Sequence, residues 1–131
     1  MKTHHLKIES CYFNAVADGR KTFELRKNDR EYKVGDTLTL CELDRGVLTG
    51  GEIEATISYV LEGCPQYGLQ EGYAILGLRL YMRSLVIELK SKGSGSVRME
   101  AITTACSSAH ILETYTRMYA DEWEVSILST F

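Results

Sequence analysis

Four strand-like stretches, three of them alternating with period two, dominate the first 80 residues, and each is bounded by turn-forming residues. Thr22-Phe23-Glu24-Leu25-Arg26 alternates strictly, and Thr37-Leu38-Thr39-Leu40-Cys41-Glu42-Leu43 and the run from Glu52 to Leu61 also alternate. Tyr73-Ala74-Ile75-Leu76-Gly77-Leu78 is a more continuously apolar run. Successive side chains of a strand point to opposite faces, so such runs read as strands with one face buried. Gly19, Val34-Gly35-Asp36, Gly46, Gly50-Gly51 and a Gly63/Pro65/Gly68 loop separate them. Short strands punctuated this way favour a small barrel over a layered α/β fold.

His5-Leu6-Lys7-Ile8 reads as an opening strand. Tyr12, Phe13, Ala15 and Val16 then recur at helical spacing until Gly19, which suits a left-handed cap. The expectation is a mainly β (α+β) fold: a five- or six-stranded, mostly antiparallel barrel over residues 1–82 with a short helix near Tyr12–Ala17. Phe23, Leu25, Ile53, Ile57, Ile75 and Leu78 are expected to face inward, with Ala55 and Tyr59 sharing the face of Ile53.

Residues 83–131 form a separate extension in this reading. Ser84 to Leu89 either extends the last strand or starts another, and Lys92-Gly93-Ser94-Gly95-Ser96 reads as a flexible linker. Met99, Ile102, Cys106, Ala109, Leu112 and Tyr119 predict an amphipathic helix over 98–120. Glu124 to Phe131 alternates weakly, as a strand or an unstructured end.

Composition narrows the function. The 131 residues are 44% hydrophobic and 25% charged with a formal charge of −3, which argues against a generally basic nucleic-acid coat. Contact with phosphate has to be local. Cys11, Cys41, Cys64 and Cys106 show no C-x-x-C pairing and read as reduced, small hydrophobes. His4-His5 lacks a third ligand at useful spacing, so no metal site is expected, nor any cofactor. No apolar run approaches the roughly 20 residues a membrane helix needs, and a cytoplasmic location without membrane contact is expected.

Cations crowd into one stretch: Arg20, Lys21, Arg26, Lys27, Arg30 and Lys33 stand among only three acids. The segment Gly19-Arg20-Lys21-Thr22-Phe23-Glu24-Leu25-Arg26 resembles the G-x-K-x-x-E-x-R signature of ASCH domains. Its continuation, Lys27-Asn28-Asp29-Arg30 then Tyr32-Lys33-Val34-Gly35-Asp36, resembles an uncharacterised bacterial and phage branch of that family, as does Glu71-Gly72-Tyr73-Ala74-Ile75-Leu76-Gly77-Leu78. The resemblance covers about 80 residues. It implies a PUA-like barrel with a helix beside a cleft, and binding of RNA or a modified nucleotide. Some members of that family hydrolyse a nucleoside amide or cleave RNA.

The resemblance implies a ligand-binding set of Lys21, Glu24 and Arg26, with Arg30 and Tyr73 at the rim. Arg26 offers a planar fork for a phosphate or base edge, and Glu24 either accepts from a base amine or orients Lys21 and Arg26. Tyr12, Tyr32 and Tyr73 are possible stacking partners, although aromatic side chains in small barrels more often pack. Lys21 and Glu24 are the candidates for catalysis. The amidohydrolase branch carries a threonine three positions after its lysine; Glu24 stands there instead, and Thr22 is not the matching residue. Glu71 offers a further acid or base, or merely a turn. A binding module, a small hydrolase on a nucleoside amide or RNA phosphodiester, and a protein-interaction module are the three classes carried forward.

Overall fold

The computed structural model describes residues 1–130. The first sheet contains β1 (Thr3–Glu9), β2 (Phe23–Lys27), β3 (Thr37–Asp44), β4 (Val47–Leu61) and β5 (Tyr73–Leu80), with the helix α1 (Ser10–Ala17) following β1. Its order is β1-β3-β4-β5-β2, antiparallel except for the parallel β1–β3 pair. The 15-residue β4 pairs with β3 along its first part and with β5 along its last. The sheet curls into a half-barrel around Phe13, Val16, Leu38, Leu40, Ile53, Ile57 and Leu76. Gly19, at φ +82°, ends α1 as its position suggests.

The strands lie where the alternation put them, but β2 carries the opposite face inward. Glu24 is 3% exposed, whereas Phe23 and Leu25 are 44% and 55% exposed. Alternation gives the period of a strand and not its phase. Here the phase is set by Lys21 and Arg26, which neutralise Glu24 beneath the surface. On β5 the inward residues are Ala74 and Leu76, while Ile75 is half-buried on the other face and Leu78 packs against the core.

On β4, Ile53, Ala55 and Ile57 are buried as expected, but Tyr59 is exposed. A register shift between Ile57 and Tyr59 marks a bulge at Ser58, and one extra residue inverts the alternation beyond it. Tyr59 stands opposite Gly77, which stands opposite Phe23; Leu61, Ile75 and Leu25 form the next row. Direct partners share a face, so these two rows form an apolar surface on the outside of the half-barrel.

The extension differs from the sequence expectation. A second antiparallel sheet, ordered β7-β6-β8, consists of β6 (Arg83–Ser91), β7 (Val97–Thr104) and β8 (Trp123–Thr130). The expected 98–120 helix is therefore half strand, and α2 spans only Ser108–Tyr119, capped by the Ser107 hydroxyl on the His110 N–H. Residues 98–104 include Ile102, Thr103 and Thr104, three β-branched residues together, which favour a strand. The apolar positions shared by the two periods hid the break. Lys92–Ser96 is no mobile linker but a hairpin turn, closed by Ser91 N–H to Ser96 O at 2.8 Å and Gly95 N–H to Ser91 O at 3.0 Å. The alternation from Glu124 is strand, and its last residue, Phe131, lies outside the described residues.

The two sheets share a seam. Beyond the end of β5, the free edge of β4 is taken up by an isolated Ile53–Cys106 bridge and by Ser107 N–H donating to Glu52 O at 3.0 Å. Ala105 and Cys106 sit in the half-barrel core, and Ile111 of α2 packs against both cores. Among the described residues no helix is long and apolar enough to cross a membrane. All four cysteines are free; Cys64 and Cys106 are buried, and burial pushes the Cys106 thiol up.

Candidate functional site

The half-barrel does not close. β1 and β2 are its two edges, and side chains rather than a backbone ladder join them. Arg26 Nη2 donates to Lys7 O at 2.9 Å, and Arg30 Nη1 donates to His5 O at 3.0 Å. Beside this seam lies a cleft of about 480 Å³, whose lining combines Tyr12, Phe23, Leu25 and Ile8 with Lys7, Glu9, Lys21, Glu24 and Arg26. That volume falls in the range of small-molecule sites.

Each element supplies its residues for a local reason. Helix α1 buries Phe13 and Val16, which turns Tyr12 outward to the cleft. The turn after Gly19 delivers Lys21, whose backbone N–H donates to Ala15 O at 2.9 Å. The inverted phase of β2 sends Glu24 and Arg26 into the mouth of the half-barrel. Glu24 Oε1 accepts from Lys21 Nζ, and Oε2 accepts from Arg26 Nε at 3.0 Å. Lys21 Nζ also donates to Phe23 O at 2.6 Å and lies 5.8 Å from the Tyr12 ring centre and 5.1 Å from that of Phe23. One carboxylate thus holds two cations, and one of them, Lys21, stands against aromatic walls, leaving a net positive floor that is not fully solvated.

Lys21, Glu24 and Arg26 are therefore brought together. Arg30 sits next along the seam, anchored on β1 and outside the cleft lining. Tyr73 is half-buried opposite Lys27 and does not line the cleft. Tyr32 is buried in the core, edge-on to His4 at 4.9 Å, and burial pushes its phenol up against the opposing pull of Arg30 and Arg26. Glu71 is exposed in the turn before β5. Arg20 is paired with Asp18 at 2.9 Å, and that guanidinium holds the Asp18 carboxyl below the usual range. Much of the apparent basic stretch is thus internally compensated.

Lys7, Ile8 and Glu9 are cleft residues that sequence reasoning missed. Their signal was the alternation of β1, but nothing local reveals that β1 approaches β2. Among the described residues no serine, threonine or cysteine lines the cleft, and the one hydroxyl there is the Tyr12 phenol. Among the described residues no group of three His, Cys, Asp or Glu is placed to hold a metal.

Comparison with known proteins bears on the half-barrel. Residues 3–78 match a family described as a domain of unknown function, DUF3850, so the match spans the first sheet and cleft and stops short of the second sheet. The chain is 46% identical over 61 residues to an uncharacterised 12.9 kDa protein in the GpA 3′ region of Escherichia phage P2. That alignment covers 47% of this chain and 56% of the relative.

Proposed function

The chain belongs to the DUF3850 family, and we propose that this family is a branch of the ASCH type and that the cleft binds RNA or a modified nucleotide through Lys21, Glu24 and Arg26. The observation that carries this reading is the buried Glu24 carboxylate bridging Lys21 and Arg26, with the Lys21 ammonium beside the Tyr12 and Phe23 rings. A base has a flat apolar face and a polar edge, and a nucleotide adds an anion; aromatic walls over a cationic floor complement all three. The ligand is one nucleotide or a short single strand, because tracking a long phosphate chain demands many free cations. A binding module fits better than a hydrolase that uses a serine or threonine hydroxyl, since among the described residues neither lines the cleft.

The test is binding of short single-stranded RNAs and modified nucleosides at two salt concentrations. Arg26→Lys keeps the charge but loses the fork, so affinity should fall roughly ten- to a hundred-fold. Intact binding by folded Lys21→Ala, Glu24→Ala and Arg26→Ala variants would remove the cleft from consideration. The protein-interaction reading would then lead, supported by the outward rows Tyr59-Gly77-Phe23 and Leu61-Ile75-Leu25.

A further inference from the structure

The second sheet ends in an open strand. β7 pairs with β6 in an unbroken register from Val97 to Thr104, and among the described residues no backbone bond reaches it from the other side. Alternate residues of an antiparallel edge direct their N–H and C=O groups away from the neighbouring strand, so β7 presents a row of them to solvent. Edge strands commonly discourage a further strand with a proline, a lysine or a bulge. β7 has none of these, whereas β8, the opposite edge, is interrupted by a register shift between Val86 and Ile87 of β6.

The side chains of β7 decide what fits beside it. Direct partners share a face, so Val97, Met99 and Ala101, opposite Lys90, Glu88 and Val86, lie on the face away from α2, and all three are exposed. Arg98, Glu100 and Ile102 lie on the other face, opposite the buried Leu89, Ile87 and Leu85. Arg98 and Glu100 form an ion pair at the rim of that face, and the Tyr115 hydroxyl donates to Glu100 Oε2 at 3.0 Å.

A single charge at this place would repel its own copy, but an arginine and a glutamate two residues apart can complement theirs. When β7 lies antiparallel to β7 of a second copy with Met99 opposite Met99, Arg98 faces Glu100 of the copy and Glu100 faces its Arg98. On the other face, Val97 stands opposite Ala101 of the copy. A shift of two residues either way sets Glu100 against Glu100 or Arg98 against Arg98, and like charges directly opposite destabilise a sheet. A shift of one residue would oppose the inner face to the outer one. Charge and apolar surface therefore select the same register.

We infer that β7 pairs antiparallel with β7 of a second copy of this chain about a two-fold axis at Met99, joining two three-stranded sheets into one of six strands. Such a contact uses the same patch on both partners and closes on itself, so association stops at the dimer. β7 lies beyond the residues of the family match and contributes nothing to the cleft between β1 and β2, so the pairing is independent of what the cleft binds.

The test is sedimentation equilibrium of the full chain and its charge variants over about a hundredfold range of concentration. The parent should move from 14.8 kDa to twice that mass and no further. Arg98→Glu and Glu100→Arg each set like charges face to face, and each alone should weaken the dimer at least about tenfold. Mixed in equal amounts, the two variants should recover a dimer, because one chain then carries two acids and the other two arginines at the facing positions. No contact within one chain can give that result, since each variant has lost its internal ion pair. Met99→Lys, exposed and on the axis, should also weaken the dimer at least about tenfold, and it carries the test if Glu100→Arg does not fold. The inference is overturned if the parent stays at 14.8 kDa throughout or grows past twice that mass. It is equally overturned if the folded variants associate as the parent does, or if their mixture stays monomeric.

Discussion

Glu24 and Glu42 are both buried carboxylates on strands of one sheet, and α1 stands between the two regions that hold them. Glu24, on an edge strand, is bracketed by a lysine and an arginine drawn from within three residues of it. Glu42, on an inner strand, is held by hydroxyls drawn from α1 and β4. The first arrangement is local and electrostatically closed, and removal of the acid strands two cations. The second is assembled from distant segments and electrically open, and removal of the charge relieves a cost. Burial alone therefore says little about whether a carboxylate stabilises the fold; its partners decide.

The sharpest break of this comparison is a matched pair of substitutions followed by urea unfolding. Glu24→Ala should cost about 3 kcal/mol, at the low end for a broken buried pair because Lys21 and Arg26 are partly solvated. Glu42→Gln should stay within about 1 kcal/mol of the parent, since its hydroxyl partners can reorient around an amide. Equal losses would mean that both sites are held by packing rather than by charge.

Asp36 provides a third acid against which to sharpen the contrast. His4 donates to it at 2.9 Å, and the backbone N–H groups of Lys2 and Lys33 donate at 3.1 Å each. The His4 hydrogen bond leads in holding its carboxyl at about 2, with the two N–H groups adding to it against the opposing effect of burial. A depressed folded-state value means stability that is present above the ordinary value of 3.8 and is lost as pH falls towards 2. Asp36→Asn should remove about 2 kcal/mol of that pH dependence, measured as the change in unfolding midpoint between pH 5 and pH 2.

A smaller effect is expected at the bulge that divides the inner and outer faces of β4. A Cβ on Gly77 would meet Ser58 Oγ at 2.9 Å and Tyr59 Cβ at 3.4 Å. Gly77→Ala should cost about 1–2 kcal/mol, and Ser58→Ala in the same chain should recover part of it, giving a coupling of at least about 0.5 kcal/mol. Smallest of all, Leu25→Ser on the outer face should change stability by no more than about 0.5 kcal/mol. A loss several times larger would place Leu25 in a core after all.

Local pattern made the half-barrel legible strand by strand, together with α1 and its glycine stop. Phase was not legible. Phe23 and Leu25 alternate with Glu24 and Arg26 whichever set is inside, and the inward turn of Glu24 depends on Lys21 and Arg26 neutralising it. Tyr59 was misread because a single inserted residue, Ser58, leaves no mark in composition. Lys21, Glu24 and Arg26 were legible as a set through the resemblance of the Gly19–Arg26 segment to a G-x-K-x-x-E-x-R signature, in which they lie within six residues. Lys7 was not, because its place in the cleft follows from the approach of two edges 19 residues apart in sequence. The Ser10–Glu42–Thr49 group was hidden for the same reason. The break between β7 and α2 was missed because Ile102, Cys106, Ala109 and Leu112 keep a helical spacing across it.

The guanidiniums that join β1 to β2 also bear on how this molecule behaves among its own copies. An edge strand with unfilled carbonyls is a template on which another chain can add a strand, and repetition of that step leads to fibres and precipitates. Arg26 and Arg30 occupy the carbonyls of Lys7 and His5 with groups too bulky and too charged to be replaced by an approaching backbone. The open side of the half-barrel is thereby guarded against self-assembly along β1, while the cleft beside it, which Arg26 lines, stays open.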